Sequence, residues 1–157
     1  MVGLDLRQEL KILITSLKQK GILGNNFDFL LDLRTRENPR FIVQVIYIFQ
    51  HESESFIGEL DRQLSQPDID YAQVCSFAHH LTGSSARIGG SGMSLACQAL
   101  LCAADDKDKD RCLEAFYGLK DHYELLKNNF NYIVEIETAI FANDSRIASR
   151  SFPGLAS

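Results

Sequence analysis

The chain has 157 residues, a formal net charge of −5 and a hydrophobic fraction of 45%. This length fits one domain with a sizeable core, and the mild acidity argues against nucleic acid or an anionic membrane as the main partner. No segment approaches the roughly 20 apolar residues of a membrane span, and the amino terminus lacks the apolar centre of a signal peptide. Without a secretory signal, the four cysteines are interpreted as reduced thiols of an intracellular protein.

Helical periodicity runs through almost the whole chain. A first helix is predicted from about residue 4 to residue 20, where Gly21 ends it, and a short second helix over 26–36 with Asn26 as its N-cap. Asn38-Pro39 then combines an N-cap residue with proline at the first helical position, which predicts the start of a third helix. Asp68 or Asp70 is expected to cap the fourth.

Four helices of bundle length are predicted, over residues 39–65, 69–88, 93–105 and 109–141. Short connections between such helices favour an all-α, antiparallel up-down four-helix bundle, with the two amino-terminal helices packed over one end. Residues 143–157 mix Ser, Arg, Gly and Pro without helical period. They predict a disordered tail, which leaves residues 1–142 as the helical domain.

The fourth predicted helix carries an imidazole on its solvent-facing side. At roughly 100° per residue, its core face consists of Val74, Phe77, Ala78, Leu81, Ser85 and Ile88. His79 falls nearly opposite, surrounded by Cys75, Thr82, Gly83 and Ala86. Because Gly83 costs a helix about 1 kcal/mol relative to alanine, its place one turn from His79 indicates a surface that a large partner approaches closely.

Three uses of this histidine fit the residues poorly. His79 and His80 diverge by roughly 100° and no carboxylate lies one turn away, so they do not predict a metal site. The Gly-x-Ser-x-Gly-like run at residues 89–92 lacks the strand–turn–helix context that serine hydrolysis requires. General acid–base catalysis needs a pocket with orienting partners, and a small bundle offers few clefts. A covalent carrier remains, because a neutral imidazole near pH 7 is a competent nucleophile toward phosphorus.

The segment from His79 to Ser85 resembles the His-x-Leu-Lys-Gly-Ser-Ser motif of the histidine-containing phosphotransfer (HPt) proteins, and the chain is most similar to the plant members. Further matches lie throughout residues 20–141: Asn38-Pro39, the continuation from Ser84 to Gly89, Cys97, Tyr123, and Leu126-Lys127 with the asparagine that follows.

This resemblance implies a phosphorelay intermediate rather than an enzyme with turnover of its own. His79 would accept a phosphoryl group from the receiver-domain aspartate of a hybrid sensor histidine kinase, of cytokinin type in plants, and pass it to a response-regulator aspartate. Gly83 would be the approach site, with Thr82, Cys75 and Ala86 completing the docking surface. The chain itself would need no cofactor, because Mg²⁺ is expected in the partner receiver domain. The expected location is cytoplasmic and nuclear.

The chain departs from the family motif at several positions. Thr82 replaces the motif lysine, so a hydroxyl stands where a charge could reach phosphoryl oxygens. Ser91-Gly92 and Leu101 replace polar side chains at the rim of the docking surface. His80 replaces a residue that is usually glutamine, and we expect it to be half-buried and hydrogen-bonded rather than phosphorylated. An alternative function therefore stays open, that of a transfer-impaired protein that binds receiver domains as a competitor or negative regulator.

Overall fold

Helices account for the regular structure of the computed structural model, which describes residues 5–33 and 38–151, with side chains as far as residue 144. In chain order the helices are α1 (Leu6–Gln19), α2 (Asn25–Asp32), α3 (Phe41–Leu64), α4 (Tyr71–Arg87), α5 (Ser91–Asp105) and α6 (Lys109–Ser151). No strand occurs in the described part of the chain. None of its helices is long and apolar enough to cross a membrane.

The helices α3 to α6 form a closed ring in which each packs against the next and α6 returns to α3. Their connections span only residues 65–70, 88–90 and 106–108, so neighbouring helices must run antiparallel. The core inside the ring includes fully buried Leu60, Leu81, Leu100, Leu119 and Ile133. The predicted fold class is confirmed.

The two amino-terminal helices cover one end of this bundle. α1 buries Leu10, Ile14 and Leu17 and packs against α6. α2 buries Phe27, whose ring stacks on Phe130 of α6 at a centroid distance of 5.6 Å. Because both helices bury their apolar faces on the bundle, they are parts of one core.

Five of the six predicted helix starts are displaced by one or two residues, and at α2 and α3 the predicted N-cap is wrong as well. α2 begins after Gly24, which is the N-cap, and Asn26 lies inside the helix. α3 begins after Arg40, because Asn38 and Pro39 form a turn in which the Asn38 carbonyl accepts from the Phe41 amide at 3.2 Å. Proline has the same φ at the second position of a turn as at the first position of a helix, so the sequence signal does not separate the two. Asp70 caps α4 as predicted, by accepting a hydrogen bond from the Gln73 amide.

Two predicted helix ends differ from the structure by more than one residue. α2 ends at Asp32 rather than near residue 36; residues 34–37 lie outside the described part. α6 continues to Ser151, ten residues beyond the predicted end at 141. The sequence has neither proline nor glycine between residues 119 and 152. No helix-breaking residue therefore ends α6 at the point where its periodic pattern of buried residues ends. The predicted disordered tail is therefore wrong for residues 143–151, which are helical, and its residues 152–157 lie outside the described part of the chain.

Candidate functional site

Helix α4 has the two faces that the sequence predicts. Val74, Ala78, Leu81, Ser85 and the C-cap Ile88 are buried, and Phe77 is half-buried at the edge of the core. The helix is held between α3 and α5, which flank its buried side. Its outer face is therefore left to solvent, and this face carries His79.

His79 is exposed in the middle of α4, and Gly83 is exposed one turn further along the same face. A β-carbon built on Gly83 meets no atom within 4 Å. The glycine is thus not required by packing inside this chain. Its absent side chain leaves open space beside the imidazole, as a surface needs when another protein must approach closely.

Thr82 is half-buried beside His79, and its hydroxyl is already engaged. It donates a hydrogen bond to the Ala78 carbonyl oxygen, one turn back, at 2.8 Å. Its own carbonyl oxygen accepts from the Ser85 hydroxyl at 3.2 Å and from the Ser94 hydroxyl at 3.4 Å. The hydroxyl proton of Thr82 is therefore engaged within its own helix.

Cys75 and Ala86 lie at the two ends of the predicted docking surface, and both are half-buried. The Cys75 thiol donates to Asp105 of α5 at 3.3 Å. Burial and this carboxylate raise the pKa of Cys75 to about 11, so the group stays a thiol at neutral pH. The Ala86 carbonyl oxygen accepts from the Asn26 side chain of α2 at 2.7 Å. α5 and α2 thus contact the two ends of the predicted docking surface, while its middle, at His79 and Gly83, stays exposed.

The prediction for His80 is wrong in its burial. The residue is exposed, and its ring lies 4.6 Å from the ring of Phe56 on α3, measured between centroids. Its helical angle does place it at the edge of the apolar face, but the Phe56 ring, which is tilted by 46° to the imidazole, covers that edge only partly. His80 therefore faces α3 while His79 faces solvent.

Sequence reasoning missed a polar cluster that joins α3 to α6. Glu54 accepts a hydrogen bond from the Tyr123 hydroxyl at 2.6 Å, and the Lys127 ammonium lies 3.2 Å from the same carboxylate. These bonds lower the pKa of Glu54, whereas burial and the neighbouring carboxylate raise the pKa of Tyr123. Tyr123 and Lys127 were identified through the resemblance, but no local signal marks Glu54, which is 69 residues away in sequence.

The site has a nucleophile and an open approach, and its neighbours on α4 are small. Among the described residues, no group of three or more histidine, cysteine, aspartate or glutamate side chains is arranged to hold a metal ion. A helical bundle that presents an exposed imidazole beside the open space at Gly83 has the arrangement expected of one class of protein, the helical-bundle histidine phosphotransfer domains.

Comparison with known proteins gives the same class. Residues 44–129 match the Hpt domain family, so the chain belongs to that family. Its members carry a phosphoryl group and are not enzymes with turnover of their own.

Plant proteins are among its relatives. The chain is 30% identical to histidine-containing phosphotransfer protein 1 of Arabidopsis thaliana over 147 residues, which covers 92% of this chain and 96% of that protein. It is 29% identical to pseudo histidine-containing phosphotransfer protein 6 of the same plant, with 87% and 90% covered. The crystal structure of a histidine-containing phosphotransfer protein from maize superposes with a TM-score of 0.81 at 28% identity and covers 87% of this chain and 99% of that one.

Proposed function

We propose that this chain is a phosphorelay intermediate and that His79 is its phosphoacceptor. The group would come from the receiver-domain aspartate of a hybrid sensor histidine kinase and go to the aspartate of a response regulator. The single observation that carries the proposal is the position of His79, exposed on α4 with open space over Gly83 one turn away. Membership of the Hpt family supports it.

The transfer exchanges one bond to phosphorus for another. A neutral imidazole nitrogen of His79 attacks the phosphorus of the aspartyl phosphate, a P–N bond forms, and the P–O bond to the aspartate breaks. The aspartate leaves as a carboxylate, and the phosphorylated ring, an imidazolium that still holds the proton on its other nitrogen, releases that proton to water. Passing the group on reverses these steps at a second receiver. Both directions require a receiver active site to reach the imidazole, which the bare backbone at Gly83 permits.

We assign the metal chemistry of this reaction to the partner. In the proposed complex the receiver supplies Mg²⁺, which neutralises charge on the phosphoryl oxygens. The chain contributes the nucleophile and the docking surface of His79, Thr82, Gly83, Cys75 and Ala86. We further propose a cytokinin-type relay, for which the chain would be present in both cytoplasm and nucleus.

A second candidate function is favoured by a specific observation at Thr82. The motif lysine is absent, and the hydroxyl that replaces it donates into its own helix. Such a protein would still dock receivers but would stabilise the transferring group less. The similarity to a relative named a pseudo histidine-containing phosphotransfer protein supports this alternative, in which the chain competes for receivers and acts as a negative regulator.

The deciding experiment is a phosphotransfer assay with a phosphorylated receiver domain and Mg²⁺. Wild type, His79→Gln and His80→Gln are compared for acid-labile phosphate, and receiver binding is measured in parallel. We expect label on wild type and on His80→Gln, and none on His79→Gln. Label that persists on His79→Gln would overturn the assignment of the phosphoacceptor. Receiver binding without label on any of the three proteins would establish the competitor.

A further inference from the structure

A cavity of about 370 Å³ lies beside the proposed docking surface, at the end where α2 meets the turn between α4 and α5. Its lining comes from three places in the sequence that only the fold brings together, and consists of Gly24, Asn25, Asn26, Ala86, Gly89, Ser91, Ser94 and Leu95. This cavity is called the α2–α5 pocket below. It contains none of the residues to which the transfer chemistry was assigned, apart from Ala86 at its edge.

The pocket is continuous with the face that carries His79. On α4, Gly83 and Ala86 lie within about 40° of His79 around the helix, so the three positions form one stripe that ends in the pocket. Ser94, on the pocket wall, donates to the Thr82 carbonyl oxygen and so fixes α5 at the level of the stripe. A protein that covers His79 and Gly83 therefore extends over the mouth of the pocket.

The walls of the pocket are held in place by hydrogen bonds between elements. The Gly24 amide donates to the Gly89 carbonyl oxygen at 2.8 Å, and the Asn26 side chain donates to the Ala86 carbonyl oxygen at 2.7 Å. α2 is also anchored to the bundle by the fully buried Phe27, which stacks on Phe130 of α6. The pocket is thus preformed, which lowers the entropic cost of filling it.

The chemistry of the lining indicates the kind of group that fits. None of the eight lining residues carries a charge, so a charged side chain entering the pocket would gain no ion pair with its walls. Leu95 lines the pocket, and 65% of its surface is exposed to solvent. A single exposed leucine is ordinary on a protein surface. An exposed leucine at a preformed, uncharged pocket beside a docking face is suited to receive an apolar anchor.

We propose that the α2–α5 pocket receives an apolar side chain of the partner receiver domain, packed on Leu95, and that this contact determines which receivers dock. The inference rests on the proposed function, because it takes the receiver as the protein that covers His79. Leu95 acts here as a specificity-determining residue, remote from the transferred group. It changes how tightly a receiver is held and leaves the reacting atoms untouched.

The test compares Leu95→Ala, Leu95→Glu and a matched control, Leu125→Glu. Leu125 is 45% exposed on α6, which lies diagonally across the ring from α4. Dissociation constants for an unphosphorylated receiver domain are measured by calorimetry, and thermal unfolding checks that each variant is folded. We expect binding to weaken about tenfold for Leu95→Ala and about a hundredfold for Leu95→Glu, with Leu125→Glu like wild type.

A kinetic readout separates this role from a purely structural one. In the transfer assay, Leu95→Ala should raise the half-saturating receiver concentration while the rate at saturation is retained. Wild-type affinity in both Leu95 variants would overturn the inference, as would a wild-type dimer that Leu95→Glu dissociates, since the occupant would then be a second copy of this chain. If wild type binds the receiver but takes no phosphate, the proposed carrier function fails, and the affinities still decide the role of the pocket.

Discussion

The hydroxyl of Thr82 and the carbonyl oxygen of Ala78 form a 2.8 Å hydrogen bond inside α4. This bond uses the only donor proton of the Thr82 side chain. A hydroxyl in that state can offer only its oxygen lone pairs to an approaching phosphoryl group. The negatively charged phosphoryl oxygens are repelled by these lone pairs. Donation to the phosphoryl group would first require the intrahelical bond to break, so the substitution of lysine by threonine removes more than the charge.

Thr82→Lys should accelerate transfer to or from a receiver. A lysine ammonium within one turn of His79 can reach phosphoryl oxygens, and such a contact is worth about 1 kcal/mol in a partly exposed site, or about fivefold in rate. Single-turnover transfer from a phosphorylated receiver measures this directly. A Thr82→Lys protein that transfers no faster than wild type would show that the missing charge is not limiting.

Thr82→Val is the matched control, because valine keeps the shape and removes the hydroxyl. If the hydroxyl is committed to Ala78, the valine protein should transfer at the wild-type rate. A clear loss of rate in Thr82→Val would mean that the hydroxyl turns outward during transfer and contacts the phosphoryl group.

The faces of α4 could be predicted from the sequence because they depend on helical period alone. One rotation angle per residue places Val74, Leu81 and Ser85 inside and His79 outside, whatever surrounds the helix. His80 shows the limit of this reasoning. Its helical angle puts it at the boundary between the buried and exposed faces of α4. Its burial then depends on how much of its ring Phe56 of α3 covers.

The α2–α5 pocket and the Glu54 cluster could not be predicted, since both are made by residues far apart in sequence. Asn26 illustrates the difficulty. Its amide is typical of an N-cap, yet it donates to the carbonyl of Ala86, 60 residues away, while Gly24 begins the helix with extended backbone. Local capping preference competes here with a tertiary hydrogen bond, and the tertiary bond prevails.

Gly83→Ala should stabilise the protein and impair its function. The added methyl meets no atom within 4 Å, and alanine gains about 0.5–1 kcal/mol over glycine in a helix interior. Urea denaturation should show this gain, whereas transfer from a receiver should slow because the methyl occupies the approach beside His79. Equal or faster transfer by the stabilised variant would contradict the role of Gly83 as the approach site.

Gly89→Ala should have the opposite effect on stability. Gly89 has a φ of +84°, and a β-carbon there would lie 2.5 Å from the Phe27 amide nitrogen. The left-handed conformation and the collision together should cost about 2 kcal/mol or more. Urea denaturation of the two alanine variants side by side supplies the comparison. A Gly89→Ala protein as stable as wild type would show that α2 is not held tightly on the turn between α4 and α5.

Glu54→Gln should destabilise the protein at neutral pH by less than about 1 kcal/mol, because Glu54 is exposed and its pair with Lys127 is partly screened by solvent. The Tyr123 and Lys127 bonds lower the pKa of Glu54 in the folded state below its value of 4.5 in the unfolded chain. The contribution is therefore complete above pH 4.5 and is lost as pH falls through the lowered folded pKa. Urea unfolding of wild type and Glu54→Gln from pH 7 to pH 3 should show the difference in unfolding free energy shrinking toward the acid end.

The control for this prediction is Glu114→Gln, an exposed position on the same helix as Tyr123. A wild-type advantage over Glu54→Gln that stays constant down to pH 3 would rule out this charge-dependent contribution.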